Sequence, residues 1–320
     1  MRHASTVTVL YGYSNDMLRF AGEFTQFRGF GYKRVTISVR IVLATYNGNR
    51  QMMPILPANA WREFRGTPSE KGINQTTHMA MIEDPSGKLH RCYVKICPPN
   101  FPTPLTEAIG WLLAEALDLP RPEFAALVMV PLNKLRQHIP LDQHWLNYKE
   151  MLSFCVSGVE GKTVSNGWKW TAPLRTARIY KRPEIARISA FDHWVDNQDR
   201  NTGNLIVRSD GDCVPIDNEY ILYQLLWAGK VPFGINHQSL LIEARKYLRG
   251  EAHKRFMVET ASQGKLHDAA LITATPKLQQ LVLALVPDPT VANTLWINIQ
   301  QYLAGRAHPD WLPAQLGVIV

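Results

Sequence analysis

Asn197-Gln198-Asp199-Arg200-Asn201-Thr202-Gly203-Asn204 runs into Leu205-Ile206-Val207, a polar turn at Ser209-Asp210-Gly211-Asp212, then Cys213-Val214-Pro215-Ile216 and Asp217. Short apolar runs on either side of an Asp-Gly pair read as a β-hairpin, because that pair supplies the left-handed backbone that a two-residue turn needs. A turn centred on Asp210-Gly211 pairs Ser209 with Asp212 and Arg208 with Cys213. Counted outward, Asn204 falls opposite Asp217, with Cβ atoms roughly 5 Å apart. An amide oxygen and a carboxylate meeting at the open end of a hairpin suit magnesium, which takes hard oxygen ligands and keeps several waters. Asp199, on the loop before Asn204, is then placed to accept a proton from a substrate hydroxyl or to orient a nucleophile. Taken singly, Asp199 and Asn204 are ordinary turn residues. The hairpin register and a lysine upstream are what argue for chemistry.

Upstream, His78–Glu83 and Leu89–Ile96 flank Pro85-Ser86-Gly87 as a second hairpin. Alternation puts Leu89, Arg91, Tyr93 and Lys95 on one face of its second strand, and His90, Cys92, Val94 and Ile96 on the other. Thr103 as N-cap and Pro104 at the first helical position open a helix, in which Leu105, Ile109, Leu112, Leu113, Ala116 and Leu117 recur at helical spacing until Leu119-Pro120. Ala125–Val130 and Met151–Val156 read as buried strands, so the order predicts a mostly antiparallel sheet crossed by one helix. Ile185, Ile188 and Phe191 fit a helix entering the Asp199 region, with Phe191 and Trp194 in the core. Amphipathic helical patterns follow at Ser239–Leu248, Leu278–Leu285 and Val291–Leu303. The expectation is an α+β, bilobal chain, with a β-rich N-terminal lobe over 53–160 and a helical C-terminal lobe over 161–320. Residues 1–52, aromatic and without clear periodicity, are expected to be an extension before the folded domain, which the stretch from Met53 opens.

Composition narrows the class. Hydrophobic residues make up 46% and charged residues 19%, ordinary for a globular chain. No apolar run approaches the ~18–20 residues that span a bilayer, and no basic-then-apolar leader opens the sequence. Cys92, Cys97, Cys155 and Cys213 are scattered without a C-x-x-C pair, which fits a reducing cytoplasm rather than a zinc site or disulfide framework. The net charge is +8, of which residues 1–50 carry +5, so charge makes no case for direct nucleic-acid binding by the folded part. Arg175, Arg178, Lys181, Arg182 and Arg187 read as a solvated face, with contact to an acidic or nucleic-acid-bearing substrate as the alternative. Gly161-Lys162-Thr163 lacks the glycine that a P-loop needs five residues earlier, where Val156 stands, and is expected to be a turn.

The spacing Asp199…Asn204…Asp217 resembles the protein-kinase catalytic loop H-R-D-x-x-x-x-N followed by D-F-G. Lys95, in Tyr-Val-Lys-Ile, stands where a kinase keeps the lysine for the α- and β-phosphates. Glu107 opens the next helix, where the glutamate that pairs with it belongs, and Glu115 is its competitor on the same helix. The stretch Phe191–Val207 with Pro215-Ile216-Asp217 resembles the HipA-like kinases, whose N-x-D-R-x-x-x-N loop is shared in outline with phosphatidylinositol kinases. Tyr93–Ile96 and Thr106-Glu107 through Pro122 are similar to the same family's lysine strand and following helix, and the likeness covers roughly residues 55–225. It implies a protein-kinase-like fold in which ATP and Mg2+ are bound. Asp199 would be the catalytic aspartate, Asn204 and Asp217 the metal ligands, and Lys95 with Glu107 the ATP-holding pair. A protein serine or threonine would be the acceptor; a lipid or small-molecule kinase and a non-catalytic nucleotide-binding module are the alternatives. The phosphate-covering loop is expected near Gly72–His78, with its amides and the side chains of Asn74, Gln75, Thr76 and Thr77 cradling phosphate. Departures from the family pattern are Asn201 and Asn218, where relatives often carry histidine, and one glycine in that loop rather than three. Arg200 either binds phosphate or braces the loop.

Overall fold

The computed structural model describes residues 8–11, 35–38, 53–68, 76–98, 101–141, 143–164, 172–227 and 237–320. Strands β1 (Thr8–Tyr11) and β2 (Val35–Ser38) pair antiparallel as a two-stranded sheet. Six more strands form the main sheet: β3 (Ile55–Leu56), β4 (Trp61–Gly66), β5 (His78–Glu83), β6 (Leu89–Lys95), β7 (Ala125–Pro131) and β8 (Glu150–Ser157). Their order is β3-β7-β8-β6-β5-β4, antiparallel except for the parallel pair β3 and β7. The hairpin of β5 and β6 turns through Asp84, whose Oδ1 accepts from the backbone amides of Ser86 and Lys88, while Gly87 supplies a positive φ of 87°.

Every residue of β7 is buried, and its two faces feed two apolar layers. Ala126, Val128 and Val130 join Leu56, Ile82, Cys92, Val94 and the short helix α2 (Leu132–Leu135) on one side. Ala125, Leu127 and Met129 join helix α1 (Thr103–Ala116) on the other. A strand covered on both faces reads as an unbroken apolar run, which is how Ala125–Val130 was legible.

Strands β9 (Lys162–Thr163), β10 (Leu205–Val207) and β11 (Cys213–Pro215) form a small sheet in the C-terminal half, where seven helices follow α2 among the described residues. These are α3 (Ala172–Ile179), α4 (Pro183–Trp194), α5 (Leu240–Tyr247), α6 (Glu251–Ser262), α7 (His267–Leu285), α8 (Pro289–Ala307) and α9 (Trp311–Leu316). The architecture is thus α+β, with a sheet-built N-terminal lobe and a helical C-terminal lobe. Ile109, Leu112 and Leu113 of α1 belong to the same core cluster as Leu127 and Phe154 of the sheet and Ala270, Leu271 and Leu278 of α7. That cluster joins the two lobes through α1. No helix among the described residues is long and apolar enough to cross a membrane.

Four local expectations need correction. The hairpin of β10 and β11 pairs Leu205 with Pro215 and Val207 with Cys213, one residue out of the expected register. Arg208 N donates to Asp212 O and Gly211 N to Arg208 O, so the loop holds three residues, with Gly211 in left-handed backbone (φ 97°). This is the common three-residue alternative to the two-residue turn, and it places Asn204 opposite Ile216, whose amide donates to Asn204 O. Helix α1 begins at Thr103 itself, after Pro102, and the Thr103 hydroxyl donates to Glu219 instead of capping the helix. Gly161-Lys162-Thr163 enters strand β9; a Cβ at Gly161 would lie 2.4 Å from Val207 O. In the basic run Arg178 and Lys181 are exposed, but Arg187 Nη2 donates to Leu117 O and Asp118 O and so closes the C-terminal end of α1. The side chain of Arg175 lies outside the described residues, as do Asn74, Gln75 and nearly all of the extension over 1–52.

Helix α1 reaches the segment after β11 at Gly110, where an added Cβ would stand 2.5 Å from Asn218 Cβ and 2.7 Å from Asn218 Cγ. Such contacts force backbone or side-chain shifts, so Gly110→Ala is expected to lower stability by about 1–3 kcal/mol. Gly305→Ala, at an exposed position of α8 with no atom within 4 Å, is expected to be neutral or stabilising. Urea midpoints of the two variants check this, and equal midpoints would remove Gly110 as a spacing constraint.

Candidate active site

Three elements carry charged side chains to one point. Lys95 ends β6 on the face away from the Cys92 and Val94 layer, and its ammonium meets Glu107 of α1. Its Nζ lies 2.7 Å from Glu107 Oε1, 2.7 Å from Asp217 Oδ1 and 3.2 Å from Glu219 Oε2. Glu115, the competing acid, is turned away and pairs with Lys277 of α7 at 2.5 Å. Burial works against the Lys95 charge, but the carboxylates of Asp217, Glu107 and Glu219 outweigh it and hold the ammonium well above its ordinary range. The same burial raises Glu107, against the pull of Lys95. For Asp217 burial is overcome by Lys95, and the carboxyl lies below its ordinary value.

Glu107 is the hinge of the arrangement. One oxygen takes Lys95, and the other accepts from the backbone amide of Asn218 at 2.8 Å. It therefore ties the lysine strand to the Asp217 segment across the two lobes. Asp217 itself adopts left-handed backbone (φ 67°), a conformation that aspartate tolerates better than most residues. That twist takes its carboxylate out of the alternation of β11 and toward Lys95, so the displaced register does not separate it from the site.

The loop after α4 is built on a buried ion pair. Arg200 is fully buried, and its Nε donates to both oxygens of Asp192 at 3.1 Å. Its Nη1 donates to Ile216 O and, at 3.2 Å, to Asp217 O, and its Nη2 reaches Asn218 Oδ1 at 2.7 Å. Arg200 thus braces the loop and the Asp217 segment together; none of it faces the cleft. Asn197 Nδ2 donates to Asp192 Oδ1 while its Oδ1 accepts from Asp199 N at 3.1 Å. Asn204 Nδ2 donates to Asp199 O at 2.7 Å, closing the loop on itself. The Asp199 carboxyl, half-buried, is pushed up to about 6 by burial and then by the Asp217 carboxylate.

The donor set suits a hard cation. Asn204 presents its Oδ1 opposite an Nδ2 that is already engaged, and Asp199 and Asp217 add carboxylate oxygens, the ligand type magnesium takes together with phosphates and water. No group of three His, Cys, Asp or Glu side chains among the described residues is already drawn in around a metal position. Of the loop expected to cover the phosphates only Thr76, Thr77 and His78 are described, and the Thr76 hydroxyl donates to Ile96 O. Glu219 escaped the sequence reading. Its one signal is position, two residues after Asp217.

Residues 170–263 match a sequence-family model described as phosphatidylinositol 3- and 4-kinase. No curated protein matches the chain. Among solved structures, the chain is similar to one from the Shewanella oneidensis MR-1 toxin–antitoxin complex of HipA, HipB and operator DNA, at 11% identity and a TM-score of 0.42, over 80% of this chain and 68% of that one. It is also similar to the Helicobacter pylori proinflammatory kinase CtkA, at 11% identity and a TM-score of 0.40, over 82% of this chain and 98% of that one.

A raised Asp199 makes a sign-definite prediction. Its proton is held more tightly in the folded chain (about 6) than at the ordinary value of 3.8. The stability it contributes is therefore full below that ordinary value and is lost as pH rises through the folded one. Asp199→Asn removes the loss, so its melting temperature should gain on the wild type between about pH 4 and pH 8. A difference that does not change over that range would show that the carboxyl is not raised.

Proposed function

We propose that the protein is an ATP- and magnesium-dependent phosphotransferase that phosphorylates serine or threonine on a protein acceptor. The observation that carries this reading is the convergence of Lys95, Glu107 and Asp217 from β6, α1 and the segment after β11, beside the Asp199 loop. In this reading Lys95 binds the α- and β-phosphates and Glu107 keeps its ammonium in place. Asn204 and Asp217 hold magnesium, which neutralises charge on the transferring phosphoryl group when bound. Asp199 orients the acceptor hydroxyl and accepts its proton, and positioning with charge compensation drives in-line transfer. Asn74, Gln75 and Thr76 are proposed to line the phosphate side. The protein acceptor is carried over from the HipA-like resemblance, and a cytoplasmic setting from cysteine usage; all four cysteines are buried.

One observation favours a second acceptor class: the family model matched by residues 170–263 describes phosphatidylinositol kinases. Transfer from labelled ATP to casein, to the protein itself and to phosphatidylinositol vesicles, with and without magnesium, separates the classes. Label is expected on protein, only with magnesium, at a rate that rises with pH as Asp199 ionises. Asp199→Ala and Asp217→Asn are each expected to lower the rate by about a hundredfold or more. Label on the vesicles alone would move the assignment to a lipid kinase. ATP binding without transfer would make the chain a nucleotide-binding module, and absence of ATP binding would end the kinase reading.

A further inference from the structure

Lys95 has three N–H donors, and three carboxylates take them. A phosphate can reach this ammonium only by displacing one. The three are not equivalent. The Glu107 side chain is 4% exposed and is also committed to the Asn218 amide. The Asp217 side chain is 36% exposed and would turn toward a metal in the reading above. The Glu219 side chain is 12% exposed and is built in from every side. Its Oε1 accepts from Thr103 Oγ1 at 3.0 Å, its backbone oxygen accepts from Thr106 Oγ1 at 2.7 Å and Trp227 Nε1 at 3.0 Å, and its amide donates to Asp217 Oδ1 at 3.3 Å. Two threonines from the first turn of α1 and a buried tryptophan thus fix a carboxylate whose second oxygen points at Lys95.

We propose that Glu219 is a positioning residue that holds the Lys95 ammonium against α1 once Asp217 has released it to a metal ion, leaving one donor for the nucleotide. The role rests on the phosphotransfer reading above. With Glu107 alone the lysine would keep a single anchor and could swing on its four-carbon stem. With Glu219 it keeps two, from α1 and from the Asp217 segment, and its third donor is freed toward the cleft. Glu219 touches neither substrate nor metal in this role and acts only through Lys95.

Three variants separate charge from shape. Glu219→Gln keeps an oxygen for the Thr103 hydroxyl but loses the attraction for Lys95, Glu219→Ala loses both, and Thr103→Val loses only the hydroxyl. If Glu219 acts through Lys95, Gln and Ala raise KM for magnesium-ATP alike, on the order of tenfold, while kcat changes less, and Thr103→Val, which removes one anchor of the carboxylate but keeps its charge, raises KM less than either. Calorimetric binding of the magnesium complex of a non-hydrolysable ATP analogue should weaken in parallel. A nucleotide-free readout makes the test independent of activity: acylation of Lys95 by an amine-reactive ester, followed by peptide mass spectrometry. Glu219→Gln should accelerate it more in an Asp217→Asn background than in the wild type, because groups in one network couple. Wild-type behaviour of Glu219→Gln with a defective Glu219→Ala would reduce Glu219 to a packing group, and equal acceleration in both backgrounds would overturn the proposal. If the wild type binds no ATP analogue while the labelling pattern holds, the kinase reading falls and the placement of Lys95 by Glu219 stands.

Discussion

A carboxylate that serves two lobes at once is the constraint on which this structure turns. Glu107 is buried, and neither oxygen is idle: one meets an ammonium from the sheet and the other a backbone amide from the segment after the small hairpin. Removing one partner of such a buried pair typically costs about 3–5 kcal/mol, since the other is left charged without compensation. The position of α1 follows from that pairing. So does the need for glycine at 110, because the helix must approach the Asn218 segment to within contact distance for Glu107 to reach it.

A second buried pair, Arg200 with Asp192, plays the complementary part inside the C-terminal lobe. Its guanidinium spends its donors on Asp192, on main-chain oxygens at 216 and 217 and on the Asn218 amide oxygen, so the loop and the Asp217 segment move as one piece. The Asp199 carboxyl, by contrast, has one long side-chain contact among the described residues, from Asn201 Nδ2 at 3.5 Å. The structure invests its strong interactions in holding the backbone of this loop and leaves its acid comparatively free.

Much of this was legible from residue pattern, and the failures have physical causes. Alternation at 89–96 placed Lys95 on the face opposite Cys92 and Val94, and helical spacing after Thr103 located α1. The hairpin was legible as a hairpin but not in its register. Asp-Gly is compatible with both a two-residue and a three-residue loop, and the choice depends on where the flanking strands pair, with β10 also held by β9. The expected meeting of Asn204 and Asp217 directly across the ladder was therefore wrong in detail, although the left-handed turn at Asp217 still sends its carboxylate to the cleft. Glu219 was beyond pattern reading, and pattern left Arg200 open between binding phosphate and bracing the loop, because their partners are separated from them in sequence and only the folded backbone assembles them. Helix α7 was recognised only over its last turns; it begins at His267 and carries Pro276 in its interior.

The shared core around α1 bears on how the molecule can move. In a two-lobed protein whose lobes touch through a thin connection, each half can rotate as a rigid body. Here Ile109, Leu112 and Leu113 lie in one apolar mass with Leu127 and Phe154 above and Ala270, Leu271 and Leu278 below. Rotation of the whole sheet would open that mass to water, at roughly 25 cal/mol for each Å² exposed. Movement of the sheet is thereby least restrained at the margin farthest from β7, in β5 and β4, because Lys95 ties β6 to Glu107 of α1.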